Sequence, residues 1–173
     1  MAAKNLDRFS RVLGWLARIG QAVSAAGILL SLGLIGWAVV MRYGFNAAPV
    51  WVDEVVGFLL IAIVMLGAAE PMRRGEHIAV DLLVTRLGAA GRRRLSLWVG
   101  FATGLAAAIL IVNGIGSIEL ARMLGLLTEG YLEWPVWILM LLLPVGGGLL
   151  GLASIEIIWR TLAGLPELPR NQS

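Results

Sequence analysis

The chain has 173 residues, of which 59% are hydrophobic and 14% charged, with a formal net charge of +3 and no cysteine. A soluble domain carries about a quarter charged residues, so one aqueous core does not account for this apolar excess and the bilayer must act as part of the solvent. The missing cysteines exclude disulfides and thiolate metal sites, and the basic residues lie beside hydrophobic spans, which suits membrane topology better than nucleic acid.

The pattern predicts an all-α integral membrane protein with four transmembrane helices, two short amphipathic interfacial helices and both termini in the cytoplasm. In residues 1–18, Leu6, Phe9, Leu13 and Leu16 recur at spacings of three and four, while Lys4, Arg8, Arg11 and Arg18 gather near a second face. With Trp15 available for the headgroup layer, this is the pattern of a helix lying on an anionic membrane surface. The alternative is a cytosolic extension of the first span.

The first span, 19–41, carries no charge, and its roughly 23 residues at ~1.5 Å each are enough to cross a ~30 Å hydrocarbon core. It exceeds the about 7–15 apolar residues of a signal peptide, so it is expected to be retained. Gly20, Ser24, Gly27, Ser31 and Gly33 keep its surface shallow enough for another helix to approach. A turn follows, with Gly44, Asn46 and Pro49 as breakers and Tyr43 and Trp51 suited to the aromatic belt.

The second span covers 52–72. Asp53 and Glu54 stand in its first turn, where the helix dipole favours negative charge, and Arg42 lies on the same side as a possible partner. Residue chemistry leaves open whether this group caps the helix or docks a partner. At the other end, Glu70 reaches Arg73 and Arg74 at i+3 and i+4, and Gly75 breaks the helix. In 77–87, His77, Asp81 and Thr85 form a stripe at four-residue spacing beside apolar faces, which predicts the second interfacial helix.

Arg92, Arg93 and Arg94 anchor span three, 95–118, in which Gly100 and Gly104 are spaced for close packing and after which Glu119 can pair with Arg122. Span four, 135–159, opens with Pro135, is expected to bend near Pro144 and Gly146–Gly148, and ends with an i, i+4 pair of Glu156 and Arg160. Residues 165–173 form a short cytoplasmic tail, so 19–164 is the membrane domain. Twelve of the fourteen Lys and Arg fall on the side of the termini, and only Arg42 and Arg122 on the other, which is the positive-inside asymmetry.

The central parts of the spans contain no Asp, Glu, Lys, Arg or His; Glu54, Glu70, Glu119 and Glu156 all stand at span ends, within reach of the headgroups. A carrier that binds its own ions needs an ionisable or discontinuous site near mid-membrane, and only the Pro144–Gly148 backbone offers an uncharged substitute. One histidine cannot give two haem ligands within a chain, His77 beside Asp81 lacks a nucleophile, and there is no phosphate-binding loop. No catalytic residue, metal ligand or cofactor is expected.

Arg42, Phe45-Asn46, Trp51, Asp53-Glu54, Gly67-Ala68, Arg74, Gly75, His77 and Asp81, in this order across about forty residues, resemble the DctQ-type small permease subunit of TRAP (tripartite ATP-independent periplasmic) transporters. The family's two glutamates are Asp53 and Glu54 here, and spans three and four match only in general character. The resemblance implies a non-catalytic inner-membrane subunit. It would brace a large permease subunit during sodium-driven uptake of an organic acid delivered by a periplasmic binding protein. It also implies that Arg42, Asn46, Trp51, Asp53 and Glu54 serve the periplasmic contact, and that Glu70, Arg74, His77 and Asp81 position the inner elbow. Membrane lipids are the other expected partners. A stand-alone carrier or channel formed by self-association, and a redox-complex anchor in which a partner completes haem ligation at His77, are the competing readings.

Overall fold

The computed structural model describes residues 2–74 and 88–164, with side chains over 8–74, 88 and 90–164. Helix α1 runs Ala2–Gly44, α2 Trp51–Gly67, α3 Ala69–Arg74, α4 Ala89–Met123, α5 Val136–Met140 and α6 Leu142–Leu162. Taking α2 with α3 and α5 with α6, four helical stretches among the described residues are long and apolar enough to cross a membrane: Arg8–Gly44, Trp51–Arg74, Ala90–Met123 and Val136–Leu162. By connectivity, residues 8–18, 69–74, 88–94 and 156–164 share one end of the bundle, called the basic end below. The 42–51 turn and the 124–135 loop share the other, the loop end.

Two of the four spans are broken, and each has a proline four residues after the last residue of its first helix. Pro71 has no N–H to give to the carbonyl of Gly67, and its ring crowds that turn, so α2 stops at Gly67 and α3 restarts at Ala69. Pro144 stands in the same relation to Met140, the last residue of α5. The interruption at Leu141 falls beside Pro144, where a bend is expected; the one at Ala68 falls inside the span expected to run unbroken over 52–72.

Helix α1 also departs from expectation, because the surface helix over 1–18 and the span over 19–41 form one continuous element. No proline interrupts it, and the buried stripe Ser10, Leu13, Gly14, Ala17, Gly20, Ser24 and Gly27 crosses the expected boundary at three- and four-residue steps. One face therefore stays on the bundle throughout, and Leu16, assigned to the apolar face, is exposed. At ~1.5 Å per residue α1 is about 65 Å long, some twice a ~30 Å hydrocarbon core, so about half its length extends beyond.

Small residues set the packing, as they must where lipid removes any hydrophobic drive between helices. A Cβ on Gly20 would meet the backbone carbonyl of Leu66, and Gly67 faces the Ser24 hydroxyl. Ser24 Oγ donates to the Ile63 carbonyl at 2.8 Å, tying α1 to α2. In the second pair, Gly100 and Gly104 of α4 face Ile158 and Ser154 of α6, and Ser154 Oγ donates to the Gly100 carbonyl at 2.6 Å. Gly146 lies against Met65 of α2 and Gly147 against the Ala107 carbonyl of α4, so α6 joins the two pairs. The expected interfacial helix 77–87 and tail 165–173 lie outside the described residues.

Candidate functional site

The break at Ala68 carries the start of α3 under α1 and α6, and there the chain collects its buried charge. Glu156 is 1% exposed, Glu70 3% and Arg73 8%. Arg73 grips Glu156 with two nitrogens: Nε donates to Oε2 at 2.6 Å and Nη2 to Oε1 at 3.2 Å. Its Nη2 also donates to the Ser10 carbonyl at 3.0 Å, and its Nη1 to Glu70 Oε2 at 3.2 Å. One guanidinium thus ties α1, α3 and α6 together. Its planar fork suits two-point carboxylate contact, which a lysine ammonium does not reproduce.

The remaining lone pairs are also filled. Ser10 Oγ donates to Glu156 Oε1 at 2.6 Å and accepts from Arg160 Nη2 at 2.7 Å. Arg160 Nε reaches Glu156 Oε1 at 3.2 Å, and Arg74 Nη2 reaches Glu70 Oε1 at 2.7 Å. Gly14 makes room: a Cβ there would lie 2.9 Å from Arg73 Nη1. The Phe9 and Trp159 rings, with centroids 6.4 Å apart, lie on the flanking turns of α1 and α6. Two carboxylates among three guanidiniums are spent on one another, so the arrangement serves as a clamp. In a poorly solvated site such groups persist only when mutually paired.

At the loop end the side chains shape backbone. Glu54 Oε1 accepts from the Tyr131 N–H at 2.6 Å and Oε2 from the Leu132 N–H at 3.3 Å, so α2 holds the 124–135 loop by its main chain. Gly130 packs directly on this carboxylate and leaves no room for a Cβ. The loop closes on itself through Thr128 N–H to the Trp134 carbonyl, Trp134 N–H to Thr128 Oγ1, and Val136 N–H to the Leu126 carbonyl. Phe58 stacks on Trp134 at 6.3 Å. Arg122 lies over the Trp137 ring at 5.0 Å.

These contacts sort the residues singled out in the sequence. Glu70 and Arg74 enter the clamp as an i, i+4 pair, and Glu54 organises the outer loop. Asn46 adopts a left-handed conformation (φ 51°), which asparagine tolerates, and the next N–H, of Ala47, turns back to the Met41 carbonyl at 3.0 Å. Asp53, Trp51 and Arg42 are exposed. Among the described residues no ion pair joins Arg42 to Asp53 or Glu54, because Glu54 is turned to the loop backbone. Nor does Arg122 pair with Glu119, since the Trp137 face holds its guanidinium. His77 and Asp81 lie outside the described residues.

Sequence reasoning missed Ser10 and Gly14, and it left Arg73 out of the site. It placed Glu156 within reach of the headgroups, whereas protein encloses it. The available signal was a lone glutamate set among Ile155, Ile157 and Ile158. Which cation would reach it depends on helix arrangement.

Comparison with known proteins agrees with the architecture. The sequence model of the family "Tripartite ATP-independent periplasmic transporters, DctQ component" matches residues 31–164. The chain is similar to the C4-dicarboxylate TRAP transporter small permease protein DctQ of Vibrio cholerae, with 28% identity over 87% of this chain and 77% of that one. It is also 28% identical to the protein of the same name from Rhodobacter capsulatus, over 70% of this chain and 53% of that one, so the second match spans about half of that relative.

Proposed function

The chain belongs to the DctQ component family of tripartite ATP-independent periplasmic transporters, and from that premise we propose that it braces a large permease subunit in sodium-driven, binding-protein-dependent uptake of a carboxylate. It is a multi-pass protein of the bacterial inner membrane and a transporter component, not an enzyme. The observation that carries the bracing role is the clamp of Arg73 on Glu156, Glu70 and Ser10, which fixes three helices against one another at one level. A subunit against which another moves must resist shear between its own helices, and a filled ionic network supplies that resistance.

The basic end lies in the cytoplasm, as the excess of Lys and Arg there favours. In this reading the stretch 8–18, with exposed Trp15, meets the headgroup layer. Exposed Asp53, with Arg42 and Trp51, contributes to the outer contact that Glu54 and Asn46 shape. Glu70 and Arg74 position the inner elbow together with His77 and Asp81. Both relatives are named for C4-dicarboxylate, which supports a carboxylate as the transported class.

Reconstitution tests this reading. Proteoliposomes with this chain, the large subunit and the binding protein are expected to accumulate succinate only under an inward sodium gradient, and those with this chain alone to accumulate none. Sodium-independent uptake by the chain alone would replace the brace with a stand-alone carrier.

A further inference from the structure

Neither the clamp nor the loop uses Asn113, a polar residue within the third span. Asn113 is exposed on α4, and apart from Asn46 in the turn it is the only Asn or Gln between residues 22 and 170. Its Nδ2 donates to the Ile109 carbonyl at 2.9 Å, one turn back. Among the described residues nothing meets its Oδ1 or its second N–H. It precedes Glu119 by six residues, placing it about 9 Å inside the polar boundary at ~1.5 Å per residue, beyond the reach of so short a side chain. Acyl chains offer it no partner.

Its surroundings are shaped for a helix. The opposite face of α4, with Gly100, Ala107 and Gly114, is filled by α6. The outward stripe of Leu105, Ile109, Val112 and Leu120 is exposed. Gly116, one turn beyond Asn113, has open space where a Cβ would stand, leaving a shallow notch beside the amide. A polar side chain next to a small residue on an outward face is the combination through which transmembrane helices associate.

We infer that the α4 face around Asn113 and Gly116 seats a transmembrane helix of the large permease subunit, one that presents a hydroxyl or amide hydrogen-bond donor to Asn113. This rests on the pairing with a large subunit proposed above. That helix completes the hydrogen bonding of the amide and covers the stripe, which places α4 on the permease-facing side of the small subunit.

The test uses the two-subunit complex from native membranes, with a photoreactive residue at Val112 and, separately, the variants Asn113→Leu and Asn113→Gln. The residue at 112 is expected to cross-link to the large subunit. Asn113→Leu is expected to lower recovery of the large subunit about fivefold, and Asn113→Gln to retain most of it. The melting temperature of the isolated small subunit should not move with Asn113→Leu, because the α4–α6 face is untouched. Cross-links only to lipid or to a second copy, in a complex that purifies normally, overturn the docking face and leave the pairing standing. Undiminished recovery with Asn113→Leu overturns the role of the amide. A wild-type chain that recovers no large subunit overturns the pairing as well.

Discussion

At the basic end, Glu156 is enclosed by protein and meets side chains: Arg73, Arg160 and Ser10, brought from three helices. At the loop end, Glu54 is only part-buried and meets backbone N–H groups of a single loop. The same carboxylate is a cross-link in one place and a template in the other. What differs is the environment left behind if a partner goes. Water and headgroups can take over a cap at an open boundary, but nothing can take over a charge sealed among apolar helices.

The largest expected effect follows from that contrast. Arg73→Ala leaves Glu156 only Arg160 and Ser10, and Glu70 only Arg74, in a buried site that has lost their shared cation, and should cost about 3–5 kcal/mol, read as loss of thermal stability in mild detergent. A variant that melts with the wild type would remove the distinction between the two ends. Replacing both partners, Arg73→Met with Glu156→Leu, should recover most of the loss, because an apolar pair of similar volume leaves no buried charge between them. Additive losses in that cycle would show that the two side chains do not act as a unit.

Gly14→Ala sharpens the comparison without changing any charge. Its Cβ would crowd Arg73 Nη1, and a guanidinium held at every nitrogen has little freedom to give way. A cost of about 1–3 kcal/mol in the same melting assay is expected. At the loop end, Glu54→Gln keeps an acceptor for the Tyr131 N–H but loses the charge, so about 0.5–1.5 kcal/mol is expected, with membrane insertion intact. Protease protection of the 124–135 loop should fall in this variant; unchanged protection and unchanged complex yield would end the templating role. Trp137→Leu removes the aromatic face beneath Arg122 and should cost the least, about 0.5–1 kcal/mol.

Legibility in the sequence tracks distance along the chain. Contacts between residues a helical turn apart, such as Glu70 with Arg74 and Glu156 with Arg160, are dictated by helix geometry and were readable from spacing. The small-residue face of α1 was readable in part: Gly20, Ser24 and Gly27 pack on α2, while Gly33 has open space beside it. The pairs that failed, Arg42 with Glu54 and Arg122 with Glu119, were each argued from a shared membrane side or a local spacing. In both, a competing partner more distant in sequence was present: the Tyr131 backbone for Glu54 and the Trp137 ring for Arg122.

The sequence by itself determined the solvent, the number of spans and the end at which basic residues gather, because apolar length and charge placement are properties of a linear chain. It also determined the family, because that signature lies in ordered residues within one stretch. Only the tertiary structure decided that α1 is one helix, that α3 packs against both α1 and α6, and that Arg73 rather than Arg74 reaches Glu156. Those outcomes depend on which helices are neighbours, and the small-residue contacts that choose neighbours act across 39 residues from Ser24 to Ile63 and 54 from Gly100 to Ser154. A buried carboxylate takes the cation that packing delivers to it, and no spacing along a single helix encodes that choice.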